Sequence, residues 1–215
     1  MVGLKIYVEG GGDAHILKRD CRRGFSEFLE KAGLKGCMPR VIACGGRRKA
    51  YDDFCTAIGN NESAMLLVDS ESPVDQNCCR EKEVSKWDPW QHLADRQGDG
   101  WVKPDNTCIT DCHLMVQCME TWFLADRKAL KSFYGTNFSE KALPAKERSI
   151  ETIDKQQVYQ TLENATKNSK KGSYDKGKHS FELLASIDPA CVISASPWAK
   201  HFIDEVKKKQ GIGRV

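Results

Sequence analysis

The chain has 215 residues, 40% hydrophobic and 29% charged, with a net charge of +3 and ten cysteines. Length and composition fit one soluble domain with a substantial core, and the weak charge neither demands nor excludes a nucleic-acid partner. No apolar run is long enough to span a bilayer and no secretory signal precedes Lys5, so the expected setting is cytoplasmic, without a membrane role, and the thiols are expected reduced and mostly buried.

The first expected element is LKIYV at 4–8, a strand that ends in Glu9-Gly10-Gly11-Gly12. A helix follows over 13–33, with Ile16, Leu17, Phe25, Phe28, Leu29 and Ala32 as its inner stripe and Gly33 near its stop. PRVIAC at 39–44 reads as a second strand, Gly45-Gly46 as a turn and 47–58 as a second helix. AMLLV at 64–68 is a continuous apolar run of the kind a parallel sheet buries on both faces, and it ends in Asp69-Ser70-Glu71. Alternating strands and helices predict an α/β fold with a mostly parallel sheet.

The segment 72–106, which holds Trp87, Trp90 and Trp101, reads as a Trp-rich insertion with one short helix near 88–95. Apolar density returns at 107–135. There a strand is expected near 113–118, then a helix carrying Glu120, Trp122, Leu124 and Asp126. The remainder, 136–215, reads as a helical C-terminal part: a polar helix over 151–167, a basic loop over 168–179, helices near 180–187 and 197–209, and a disordered tail at 211–215. The whole chain reads as one domain built on a βαβαβ core at 1–71.

In open parallel sheets ligands bind outside the carboxyl ends of the strands. Glu9, Asp69 and Glu71 all fall at such ends. A single acid after a strand is commonplace, and an aspartate there often does no more than cap the next helix. Two acidic strand ends together suggest oxygen ligands for a hard divalent cation. Gly10 and Gly11 leave the backbone open to a phosphate.

The stretches YVEGGGD, RGFSEFLEKAG, ACGGRRKAYDDF, LLVDSE, HLMVQCMETWFLAD and YDKGKHSFELL, in that order, resemble a bacterial family of unknown function with a TOPRIM-like core. TOPRIM domains occur in topoisomerases, primases and nucleases of the overcoming-lysogenization-defect type. The resemblance implies a Rossmann-like TOPRIM sheet, Mg²⁺ or Mn²⁺, a partner ATPase and a role in anti-phage defence. Glu9 matches the TOPRIM glutamate and Asp69 the first acid of its second motif. Glu71 stands where that motif has aspartate. A third acid has no clear match, and Glu120, or else Asp126, is the candidate from the later helix.

Other residues complete the expected site. Arg47, Arg48 and Lys49 open the second helix, where a phosphate would offset their unfavourable alignment with the helix dipole. Lys170, Lys171, Lys176, Lys178 and His179 lie in the basic loop, and Lys176 could steady charge in a transition state. The plain alternatives are a solvated basic turn for the first stretch and a flexible surface loop for the second. Cys108, Cys112, His113 and Cys118 lack the paired spacing of a zinc site. Ser70 lacks a nucleophile elbow, and GGGD is not followed by the G-K-[ST] of a phosphate-binding loop.

The expected function is divalent-metal-dependent cleavage of DNA or RNA, tRNA included. Glu9, Asp69, Glu71 and Glu120 would serve as metal ligands, and Glu9, Asp69, Glu71 and Lys176 as catalytic groups. Gly10, Gly11, Arg47, Arg48, Lys171, Lys176 and His179 would bind phosphate. The alternative is a non-catalytic TOPRIM-like subunit that regulates an ATPase.

Overall fold

A computed structural model describes residues 3–79 and 83–212. Four strands, β1 (Lys5–Val8), β2 (Arg40–Ala43), β3 (Ala64–Asp69) and β4 (Cys112–Met115), form one sheet in the order β2-β1-β3-β4, with every pairing parallel. Parallel pairing needs crossovers long enough to return the chain. Helices α1 (His15–Leu29) and α2 (Arg47–Gly59) supply two of them. Helix α3 (Pro89–Asp95) lies in the third. Helix α4 (Arg127–Tyr134) follows β4, and the C-terminal part contributes α5 (Lys155–Thr166), α6 (Lys176–Ser186), α7 (Pro189–Ala195) and α8 (Pro197–Lys209). Among the described residues no helix is long and apolar enough to cross a membrane.

The central strand β3 is an unbroken apolar run, Ala64 to Val68, because both faces of the sheet are covered. Ile6, Val8, Met65 and Leu67 face one core with Phe25, Phe28, Trp122 and Phe202. Tyr7, Leu66, Val68 and Leu114 face the other with Phe54, Trp90, Trp101 and Trp198. The segment between β3 and β4 thus supplies two buried tryptophans to the second core.

Several expected boundaries move. Ile16 is 64% exposed, not part of the inner stripe. At about 100° per residue it lies roughly half a turn away from Phe25, which sets the buried face with Cys21, Phe28 and Leu29. The expected strand at 113–118 is β4, which stops at Met115 because its partner β3 stops at Asp69. The expected helix around Glu120 is a 3₁₀ stretch, Met119–Ala125, with Met119 to Leu124 all buried, so it has no polar face. The expected loop ends early. Asp175 caps α6 by accepting from Lys178 N at 3.0 Å, so Lys176, Lys178 and His179 are helical. At the tail, Gly211 and Ile212 bond back to Lys208 and Lys207, and Ile212 packs on the core; residues 213–215 of the expected disordered tail lie outside the described residues. All ten cysteines are free thiols, and half of them, Cys21, Cys44, Cys78, Cys112 and Cys118, are buried rather than most.

The C-terminal part is fastened to the sheet by a close helix crossing. A Cβ added at Gly24 of α1 would stand 2.7 Å from the Phe181 carbonyl oxygen of α6. Glycine there lets two backbones touch. Gly24→Ala is expected to destabilise the protein by about 1–2 kcal/mol, because the clash outweighs the better helix propensity of alanine. Urea unfolding checks this.

A second expectation concerns acid. His113 on β4 is fully buried; its Nε2 bonds the Thr110 carbonyl at 2.9 Å and its Nδ1 has no partner. Burial first, then nearby His201, pushes its pKa down to about 3. The unfolded chain takes up a proton near pH 6.5 that the folded chain refuses. Stability due to neutral His113 is therefore present above about pH 6.5 and declines toward pH 3, by at most about 1.4 kcal/mol per pH unit. The unfolding midpoint of His113→Gln, measured against the parent across this range, should lack that component of the slope.

Candidate functional site

Strands β1 and β3 are neighbours in the middle of the sheet and end at the same edge. Glu9 follows β1 directly, Asp69 is the last residue of β3, and Glu71 follows at a positive φ of 67°. Oxygens of the three carboxylates all lie within 4.8 Å of one another. Asp69 is buried and the other two are partly covered.

The glycines after Glu9 have a steric role. Gly10 and Gly45 exchange backbone hydrogen bonds at 2.9 and 3.0 Å and tie the loops after β1 and β2 together. A Cβ at Gly45 would meet the Gly12 oxygen at 2.5 Å, and one at Gly11 would meet the Lys18 Cα at 2.8 Å. Both sit at positive φ, which glycine adopts without penalty. Side chains there would wedge the loop away from α1 and move Glu9.

Two cations answer the three acids. Arg47 opens α2 and places Nη1 3.2 Å from Glu9 Oε2, while the same nitrogen donates to the Asp69 carbonyl oxygen. Asp99 orients it, bonding Nε at 2.9 Å and Nη2 at 2.6 Å, and the guanidinium lies 4.8 Å from the Trp101 ring centre. Lys155 opens α5 and places Nζ 2.6 Å from Glu71 Oε1 and 3.5 Å from Asp69 Oδ2. Asp69 Oδ1 accepts the Met119 backbone N–H at 2.8 Å. Burial, followed by the neighbouring Glu9 and Glu120, still pushes the Asp69 carboxyl up to about 8. Burial also raises Glu9, against the pull of Arg47. Burial works to discharge Lys155, but Asp69 and Glu71 outweigh it and keep the ammonium charged.

A cleft of about 240 Å³ opens beside the acids, lined by Glu9, Gly10, Gly11, Asp69, Lys176 and Phe181 among others. Its far wall is the first turn of α6. The cleft therefore has acids on one side and a lysine at a helix N-terminus on the other.

The other expected residues fall elsewhere. Glu120 is fully buried outside the triad and accepts from Tyr159 and Tyr174. Asp126 caps α4 through Ala129 N and also accepts from Asp188 N. Arg48 and Lys49 pair with Asp52 and Asp53 one turn along α2. Lys171 pairs with Glu182 at 3.6 Å and covers the Phe133 ring. His179 Nδ1 meets Tyr134 Oη and Asp175 N. Neither Arg48, Lys171 nor His179 lines the cleft. Among the described residues, the metal-capable side chains that gather are Glu9, Asp69 and Glu71; Cys108, Cys112, His113 and Cys118 form no such cluster.

Sequence reasoning did not find Lys155, Asp99, Tyr159 or Tyr174. Asp154-Lys155 carries a capping signal and nothing more, since its contacts to Asp69 and Glu71 arise from distant chain. Arg47 was legible as a cation near the site but not as the ion-pair partner of Glu9.

One family model, described as a domain of unknown function (DUF4276), matches residues 8–207. No curated protein and no solved structure matches the chain.

The raised Asp69 carboxyl has a thermodynamic consequence. Its folded pKa, about 8, lies above the ordinary 3.8, so the metal-free fold holds a proton that the unfolded chain has released. The carboxylate costs nothing below about pH 4, and its penalty grows toward pH 8 by at most about 1.4 kcal/mol per unit. Asp69→Asn keeps an oxygen for the Met119 N–H and loses the charge. In chelator it should be more stable than the parent at pH 8, with the advantage vanishing near pH 4, as read by urea midpoints.

Proposed function

The chain belongs to the DUF4276 family, and we propose that it is a TOPRIM-like, divalent-metal-dependent phosphodiesterase acting on DNA or RNA. The observation that carries this reading is the meeting of Glu9, Asp69 and Glu71 within 4.8 Å at the carboxyl edge of adjacent strands, beside a cleft walled by Lys176. The donor set fits Mg²⁺ or Mn²⁺: all hard carboxylate oxygens, on rigid strand ends, already drawing two side-chain cations to offset their charge. Glu9, Asp69 and Glu71 would hold the ion. Once bound, the ion would polarise the scissile phosphate and stabilise the departing oxygen.

The chain's own groups have separable tasks. Met119 N fixes Asp69 Oδ1 and leaves Oδ2 to turn toward a ligand. Lys155 and Arg47 keep the acids gathered before an ion is loaded. Glu9, with a raised pKa and its Oε2 on Arg47, would either ligate the ion through Oε1 or carry a proton there. Lys176 would hold a phosphate oxygen across the cleft. Arg48 and Lys171, exposed on the flanks, would meet the nucleic-acid backbone away from the cleft. An ATPase partner and a role in anti-phage defence belong to the same proposal and rest on the family resemblance; a cytoplasmic setting is proposed with them.

The second reading is a non-catalytic TOPRIM-like subunit that regulates such an ATPase. It draws on Arg47 and Lys155, which already pair with all three acids and would make an ion unnecessary.

Mn²⁺ titration calorimetry and cleavage of labelled DNA and tRNA, with and without a partner ATPase, separate the two. Asp69→Asn should lose cleavage. Its Mn²⁺ affinity should fall by more than the roughly 10–100-fold that loss of a ligand's hydrogen-bond partner costs. Nucleic-acid binding should persist. Lys176→Ala should bind more weakly, with a salt slope shallower by about 0.7–0.9 for one lost phosphate contact. Undiminished cleavage by Asp69→Asn overturns the metal mechanism. A parent protein that neither binds Mn²⁺ nor cleaves under any of these conditions favours the regulatory subunit.

A further inference from the structure

Glu120 is a fully buried carboxylate with no place in the acid triad. An acid so far from water is costly unless its lone pairs are met. Tyr159 Oη donates to Oε2 at 3.2 Å and Tyr174 Oη donates to Oε1 at 3.0 Å. Ser180 Oγ, 2.7 Å from Tyr174 Oη and 3.4 Å from Oε1, has one proton to divide between them. Lys176 Nζ stands 3.6 Å from Oε1 and donates to Tyr159 Oη at 3.0 Å. Tyr159 therefore gives its proton to Glu120 and receives one from Lys176.

Packing alone does not call for this arrangement. The Lys176 side chain is 58% exposed and flexible, yet its tip is tied to a carboxylate beneath the surface. Its neighbours on the same stretch are held differently: Lys178 approaches Asp175 at 3.9 Å, and Lys171 approaches Glu182 at 3.6 Å. Of these three lysines, Lys176 is the one that lines the cleft with Glu9 and Asp69. We infer that Glu120 is a positioning residue: through Tyr159 it holds the Lys176 ammonium at the cleft wall, so that an incoming anion meets a fixed charge rather than a mobile one. The inference leans on the phosphodiesterase reading for what the ammonium would hold. The tether itself is independent of it.

The test is lysine acetylation of the intact protein under native conditions, followed residue by residue with mass spectrometry. In the parent, Lys176 should react more slowly than its exposure suggests. Tyr159→Phe removes one oxygen and should raise labelling at Lys176 several-fold while Lys171 and Lys178 hold their parent rates. Glu120→Gln should do the same, and if it fails to fold, Tyr159→Phe alone decides. General loosening of α6 would speed Lys178 together with Lys176, and that result would overturn the inference. So would unchanged Lys176 labelling in folded Tyr159→Phe. A protein that cleaves nothing but shows the selective Tyr159-dependent protection retains the positioning role and loses the reaction assigned to the cleft.

Discussion

Three carboxyl groups crowded at one end of a buried sheet must be met by protons or cations, and much of this molecule is arranged around that requirement. Glu9 follows, and Asp69 ends, neighbouring strands whose buried side chains, Ile6, Tyr7 and Val8 and then Ala64 to Val68, pack into cores on both faces. Water cannot solvate them from below. Arg47 from α2, Lys155 from α5 and the Met119 backbone N–H after β4 each answer one part of the charge. Asp99, from the crossover between β3 and β4, answers Arg47 in turn. Segments from every region of the chain thus end at the same few oxygens.

This makes the site a point of tension as well as of attachment. Ion pairs withdrawn from water contribute little net stability, and removing one partner is expensive. The compensating term is the two-sided core, where the large aromatic side chains lie. Gly24 against Phe181, and Gly11 and Gly45 against backbone, show the same economy of space: side chains are absent where the loops and helices that carry the acids and Lys176 must close up.

β3 was legible because burial on both faces leaves a continuous apolar run, AMLLV, and β1 because LKIYV is apolar but for Lys5. The acids could be read because strand ends and ligand edges coincide in parallel sheets. The expected helix near 197–209 coincides with α8, which Ser196 caps with proline at the first helical position. The same signal at Asp188-Pro189 opens α7, which was overlooked. The 3₁₀ stretch at Met119–Ala125 gave a misleading signal, since a segment buried all round has no period to distinguish its type. Lys155 was illegible for a different reason. Its meaning lies in its contact with Asp69 and Glu71, and no local pattern encodes a contact made across so much intervening chain. Glu120 was a candidate ligand because the TOPRIM resemblance left a third acid unmatched and this one follows the expected strand; the tyrosines that occupy its oxygens come from α5 and the segment before α6.

The long separation between Asp69 and Lys155 also bears on how the protein is made. A ribosome finishes β1, β2 and β3, with all three acids, well before it reaches α5 and α6. Until then the nascent chain carries the negative cluster without Lys155 to balance it and without the wall that Lys176 contributes. Domains form as units during synthesis, and a contact between remote segments must wait for the later one. The cleft is thus completed only after α5 and α6 have been made, and a chain released before them carries the acids without that enclosure.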